Sequence, residues 1–145
     1  PFKSHLTRPG LPGMVKQKLE LLEKGDPSEN RSLVLVDSFM GDEGATAVVD
    51  ALRHNSSVKS LDLRGCNIRS EGASALAGLL EHNMNLTSVG LEWNSVGMLE
   101  SGIQSISKAL MGNHHLTELD LRSNGISPTG GTALANMLAV NKGLK

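Results

Sequence analysis

The sequence predicts an α/β solenoid: a horseshoe with a parallel sheet on its concave side and helices on its convex side. Three observations predict it. The first is a repeat. Val58-Lys-Ser-Leu61-Asp-Leu63-Arg-Gly-Cys66-Asn-Ile68 lines up with Leu86-Thr-Ser-Val89-Gly-Leu91-Glu-Trp-Asn94-Ser-Val96 and with Leu116-Thr-Glu-Leu119-Asp-Leu121-Arg-Ser-Asn124-Gly-Ile126, at starts 28 and then 30 residues apart. A period of this size marks stacked strand–helix units that bury a continuous core only together. The second is alternation within each unit: Leu61/Leu63, Val89/Leu91 and Leu119/Leu121 give a short strand with one buried face. The third is a helical frame after each strand. Gly72-Ala73-x-Ala75-Leu76-x-x-Leu79-Leu80 recurs as Gly102-Ile103-x-Ser105-Ile106-x-x-Ala109-Leu110 and Gly130-Gly131-x-Ala133-Leu134-x-x-Met137-Leu138. This is the i, i+3, i+4, i+7 face of a helix.

Taken in chain order, residues 1–12 carry Pro1, Pro9, Gly10 and Pro12 and read as an extended segment. Residues 13–29 read as a flanking helix and loop, with Met14, Val15, Leu19, Leu21 and Leu22 on the helix and Lys24-Gly25-Asp26-Pro27 ending it. Residues 30–145 are the repeats, four units with a fifth cut off at Leu144. The first unit is degenerate: Leu33-x-Leu35 is its strand, Ser38 and Met40 fill its turn, and Gly44-Ala45-x-Ala47-Val48-x-x-Ala51-Leu52 is its helix.

After each strand comes Cys66, Asn94 or Asn124, then an apolar plug at Ile68, Val96 or Ile126. Asparagine suits a chain leaving a strand, because its amide bonds backbone groups that lose their ladder partners. Small residues at each helix start allow close approach to the strand layer. Ser127-Pro128 reads as an N-cap followed by proline in the first helical position. Asn55, Asn83, Asn113 and Asn141 at the helix ends are expected as left-handed C-caps. The third unit holds two extra residues near Gly97-Met98-Leu99, between turn and helix.

Composition narrows the function. Apolar residues make up 39% of the chain and aromatics 2%, so the core is aliphatic and suited to thin stacked layers. A net charge of −1 gives no support for nucleic-acid binding, which calls for a clustered basic surface. The single cysteine excludes an internal disulfide framework and points to a reducing compartment. No apolar run is long enough to span a membrane. Pro1-Phe2-Lys3 is no signal peptide, and without an initiator Met the chain is expected to be part of a longer protein.

Chemistry-bearing motifs are sparse. Ser56-Ser-Val-Lys59 and Ser105-Ile-Ser-Lys108 lack the companion motifs of Ser-x-x-Lys hydrolases. Gly130-Gly131 lacks the Gly-Lys-Ser/Thr of a phosphate loop. His54 and His82 occupy equivalent helix-end positions, where the helix dipole accounts for them, and no Cys/His set has zinc spacing. Cys66 sits in the Asn/Cys slot and reads as structural, and the glycosylation patterns at Asn30, Asn55 and Asn85 read as chance. No catalytic residue, cofactor or metal site is expected.

These units resemble the ribonuclease-inhibitor class of leucine-rich repeat, in which Leu-x-x-Leu-x-Leu-x-x-Asn/Cys-x-Leu leads into a full helix. The succession Leu33-Val-Leu with Asp42-Glu-Gly-Ala-Thr46, Leu61-Asp-Leu, Leu91-Glu-Trp-Asn-Ser-Val-Gly97 with its insertion, and Leu119-Asp-Leu-Arg is similar to the centrosome-linker leucine-rich-repeat proteins, whose repeats precede a long coiled coil. That resemblance implies a non-enzymatic protein scaffold of the cytoplasmic cytoskeleton, at the centrosome, ciliary base or axoneme, that is homodimeric through a coiled coil outside these residues. The class also includes GTPase-activating horseshoes and the sensing repeats of intracellular immune receptors.

Partner proteins are expected on the concave face and the repeat edges. Outward strand residues form two ladders, Val36/Arg64/Glu92/Arg122 and Val34/Asp62/Gly90/Asp120. The first alternates in sign, either as a self-neutralising solvated face or as a docking surface that reads charge. Trp93, beside it, either packs against the next turn near Ser123 or stands out as an anchor. The expected partner-binding residues are Arg64, Glu92, Trp93 and Arg122. Val34 and Val36 call for cover, from a partner or from Phe2, Leu6 and Leu11 folding over them.

Overall fold

A computed structural model describes residues 8–25 and 31–145. Helix α1 (Gly13–Glu23) precedes four strand–helix units: β1 (Ser32–Val34) and α2 (Gly41–Leu52), β2 (Ser60–Asp62) and α3 (Ser70–His82), β3 (Ser88–Gly90) and α4 (Glu100–Gly112), β4 (Glu118–Asp120) and α5 (Pro128–Val140). The strands form one parallel sheet in the order β1-β2-β3-β4. The register pairs Leu33 with Leu61, Leu61 with Val89, and Val89 with Leu119, so one rung comes from each repeat, as the sequence alignment requires.

The strands span three residues each, ending before the second leucine of the pattern. The backbone ladder nevertheless runs on, with Leu35 N–H donating to Asp62 O at 2.9 Å, Leu63 N–H to Gly90 O at 2.8 Å and Leu91 N–H to Asp120 O at 2.9 Å. Leu33, Leu35, Leu61, Leu63, Val89 and Leu91 are all buried to 2% exposure or less. Against them pack Ala45, Val48 and Leu52 of α2, Ala73, Leu76 and Leu80 of α3, and Ile103, Ile106 and Leu110 of α4. At helix starts the predicted small residues are obligatory: a Cβ on Gly102 would run into the Val96 carbonyl, and one on Gly72 would lie 2.7 Å from Ile68 Cγ2.

Helix α1 closes the first unit by burying Val15, Leu19 and Leu22. Lys18 Nζ donates to Val34 O at 2.9 Å, satisfying a carbonyl at the edge strand. Arg8 pairs at 3.0 Å with both Glu43 and Asp50 of α2, so the chain before α1 is tied to the helical side. Phe2 and Leu6, expected as a lid over Val34 and Val36, lie outside the described residues; Val34 is 40% exposed.

Two rows of asparagines stitch the units together. Asn94 Oδ1 accepts from Cys66 N–H at 3.1 Å and Ile68 N–H at 2.9 Å, while its Nδ2 donates to Leu63 O at 2.8 Å and Leu91 O at 2.9 Å. Asn124 repeats this one unit on, accepting from Val96 N–H at 3.1 Å and donating to Leu91 O at 2.8 Å. Cys66 substitutes weakly, its thiol directed to Leu35 O at 2.9 Å; burial pushes that thiol's pKa up, which fits a structural group.

The second row corrects an expectation. Asn83, Asn113 and Asn141 are extended (φ −79°, −96° and −71°), not left-handed. The side chain does the capping instead: Asn113 Oδ1 accepts from His115 and Leu116 N–H at 2.9 and 3.0 Å, and its Nδ2 reaches Leu80 O of the previous helix at 2.8 Å. The N-cap at Ser127 is as read, accepting Gly130 N–H at 3.1 Å ahead of Pro128.

Leu91→Ala is expected to lower stability by about 2–5 kcal/mol through cavity formation. Asn94→Ala strands two buried N–H groups and is expected to cost about 3 kcal/mol. Asn55→Ala, at a half-buried turn where water can replace the lost acceptor, costs about 1 kcal/mol. Urea denaturation of the three variants checks the ranking.

Candidate functional site

The concave face presents three rows, one residue per strand or strand exit. Ser32, Ser60, Ser88 and Glu118 form the first, and Val34, Asp62, Gly90 and Asp120 the second. Val36, Arg64, Glu92 and Arg122 form the third, one alternation further along each chain. Their members in the second to fourth units enclose a groove of about 590 Å³, lined by Asp62, Arg64, Gly90, Glu92, Asp120 and Arg122 among others.

Three of the four expected binding residues therefore line one groove, and their pairing differs from the expected alternation. Arg64 turns back on its own strand, with Nε 3.0 and 3.1 Å from the Asp62 carboxylate oxygens and a guanidinium nitrogen at 3.0 Å. Arg122 does the same with Asp120, at 2.7–3.1 Å, and also reaches Glu92 at 3.3 Å. Arg64 and Glu92 form no ion pair. A carboxylate two residues back on the same strand offers a bidentate partner without bridging strands, and that geometry wins. Hydrogen bonds from Arg122 hold the Asp120 carboxyl below its ordinary pKa. That contribution is present at neutral pH and fades as pH falls through the lowered value. Both arginines are raised, chiefly by these same hydrogen bonds.

Trp93 stands apart from the groove, on the rim where the chain leaves the sheet. Its side chain is 68% exposed, so it does not pack away against the turn at Ser123. Its backbone is left-handed, at φ 58°. The same column holds Asp37 at φ 54°, Gly65 at φ 65° and Ser123 at φ 57°. Every unit thus is left-handed at this shared position, a conformation cheap for Gly and Asp and strained by about 1–2 kcal/mol for a bulky residue. The column of Gly, Asp and Ser was the sequence signal for this turn, and the tryptophan masks it. The inserted Met98 and Leu99 are 68% and 62% exposed, and a Cβ on Gly125 would lie 2.6 Å from Met98 Sδ, so the insertion leans on the following turn. Sequence reading had not singled out Phe39, which is 78% exposed on the same rim at φ 52°.

Among the described residues no cluster of His, Cys, Asp and Glu can hold a metal ion, and no helix is long and apolar enough to cross a membrane. The repeated rung register, the asparagine rows and the helix on every crossover are the architecture of a leucine-rich-repeat solenoid. The family described as Leucine Rich repeat matches residues 54–77 and 112–135. The chain is 41% identical over 106 residues to leucine-rich repeat-containing protein 45 of Gallus gallus, a stretch covering 73% of this chain and 16% of that protein. This chain thus corresponds to a small part of that relative. Among solved structures it is similar to the actin-binding site 2 region of leiomodin-1 (TM-score 0.80, 26% identity, 92% of this chain and 77% of that one). It also shares the fold of the tropomodulin C-terminal domain of Caenorhabditis elegans (TM-score 0.76, 13% identity, 90% of this chain and 78% of that one).

Two outcomes separate the roles of these residues. Arg122→Ala breaks exposed ion pairs only and is expected to leave the melting midpoint indistinguishable from the parent's. Trp93→Gly relieves left-handed strain and is expected to leave stability within about 1 kcal/mol of the parent, whereas a tryptophan serving the core would cost about 3–5 kcal/mol. Thermal melts followed by circular dichroism check both.

Proposed function

We propose that this chain is a non-enzymatic protein-binding module of a longer cytoskeletal scaffold, acting at the centrosome, ciliary base or axoneme. The observation that carries the reading is the concave groove lined by Arg64, Glu92 and Arg122, with an exposed, left-handed Trp93 on the separate strand-exit rim. Ordered charge pairs on a rigid face select a partner by complementarity. Tryptophan and arginine are the side chains that most often carry interface energy. Stacked repeats supply the extended surface. The full-length protein is proposed to dimerise through a coiled coil outside these residues, which would raise avidity for a repeating cytoskeletal partner.

Similarity to the leiomodin-1 region named for actin binding supports a cytoskeletal partner and favours actin itself as a second reading. Co-sedimentation with filamentous actin separates the two: retention in the pellet supports direct actin binding, and full recovery in the supernatant removes it.

The principal reading is tested by imaging the tagged full-length protein. Enrichment at centrioles, basal bodies or axonemes is expected; a diffuse distribution would sink it. Glu92→Lys places a third cation between Arg64 and Arg122 and is expected to abolish that enrichment while the circular dichroism spectrum is unchanged. Normal enrichment of this variant would show that the groove is merely solvated.

A further inference from the structure

The strand-exit rim carries a feature separate from the concave groove. Asp37, Gly65 and Trp93 are consecutive in a row across units, because Asp37 N–H donates to Arg64 O at 2.8 Å, Gly65 N–H to Glu92 O at 3.0 Å and Trp93 N–H to Arg122 O at 3.1 Å. Gly65 has no side chain, and its place is taken: a Cβ there would collide with Asp37 Oδ1. The Asp37 carboxylate therefore lies across Gly65, reaching from the first unit toward Trp93 in the third. It makes no hydrogen bond or ion pair among the described residues. The nearest cation, Arg64, is held by Asp62 through Nε and a guanidinium nitrogen at 3.0 Å.

Two exposed aromatic residues share the rim with this carboxylate. Phe39, two residues beyond Asp37, is 78% exposed, and Trp93 is 68% exposed; they are the aromatic residues of the described chain. Both hold left-handed backbone, which keeps them on the rim and out of the core. Units one and three are separated by two strand spacings, about 10 Å between backbones. The unit between them offers Gly65, which adds no side chain of its own.

The geometry points to a cation-recognition notch on this rim, formed by Asp37, Phe39 and Trp93 over Gly65, that takes an arginine or lysine side chain of a partner protein. The carboxylate supplies the counter-charge, and the indole face attracts the cation through its quadrupole. An arginine fits better than a lysine, because a planar guanidinium stacks on the ring and keeps its edge donors for the carboxylate. The inference deepens the protein-binding reading by naming the chemistry of one anchor, and it rests on that reading only for the identity of the partner.

Trp93 is the chain's one tryptophan and there is no tyrosine, so intrinsic fluorescence reports directly on this notch. The probe is a hexa-arginine peptide at low salt, with a hexa-citrulline peptide as the uncharged isostere. A saturable change in Trp93 emission is expected with arginine and none with citrulline. Asp37→Asn keeps a residue that tolerates the left-handed turn and is expected to raise the apparent Kd at least fivefold with an unchanged melting curve. Phe39→Ser is expected to weaken binding as well. No saturable change, an equal response to citrulline, or Asp37→Asn binding like the parent would each overturn the notch. If Glu92→Lys alone abolishes the response, the concave groove is the cation site, and the notch fails while the protein-binding reading stands.

Discussion

The structure depends on one buried interaction: the asparagine side chain that follows the third and fourth strands and ties its own turn to the turn before it. Asn94 and Asn124 are 7% and 2% exposed and spend their amide donors and acceptors on backbone groups of two units. Strands of three residues cannot anchor a sheet by ladder bonds alone. The side-chain amides extend the ladder past the strand and satisfy the N–H and C=O groups that bend away from it. Left unpaired in an aliphatic core, those groups would be costly. The polar row and the leucine rows are thus one device, the first permitting the turn and the second filling the space behind it.

Function follows from what this device leaves outside. Because the turn after each strand is fixed, the column Asp37, Gly65, Trp93, Ser123 is always left-handed and always on the rim. A tryptophan placed there cannot fold back into the core and remains exposed. The concave rows are equally fixed, so Arg64, Glu92 and Arg122 are held in one groove without any loop having to order on binding. A face preorganised in this way loses little conformational entropy on association. The inserted Gly97 to Leu99 leaves the register undisturbed, since Val89 still pairs with Leu119.

Much of this was legible in the residues. The period gave the parallel register, and the 3.6-residue frame gave the helices. Gly13 to Leu22 read as a helix where α1 runs Gly13–Glu23. Legibility ended where side chains choose among partners. Arg64 lies beside both Asp62 and Glu92, and only geometry shows it bound to the former. The helix-end asparagines carry a general preference for left-handed caps, which loses here to a side chain that caps its own loop and the previous helix together. The strain at Trp93 was hidden because tryptophan is the residue least suggestive of a left-handed turn, although Gly65 stood in the same column.

The most direct test of the central claim is native-state hydrogen exchange at the amides of Cys66, Ile68 and Val96, whose acceptors are the buried asparagine oxygens. If the asparagine row holds the fold, these three open only with the whole domain, at the same free energy as the Leu63 and Leu91 amides. Exchange at those turns by cheap local opening, with the strand amides still protected, would contradict it.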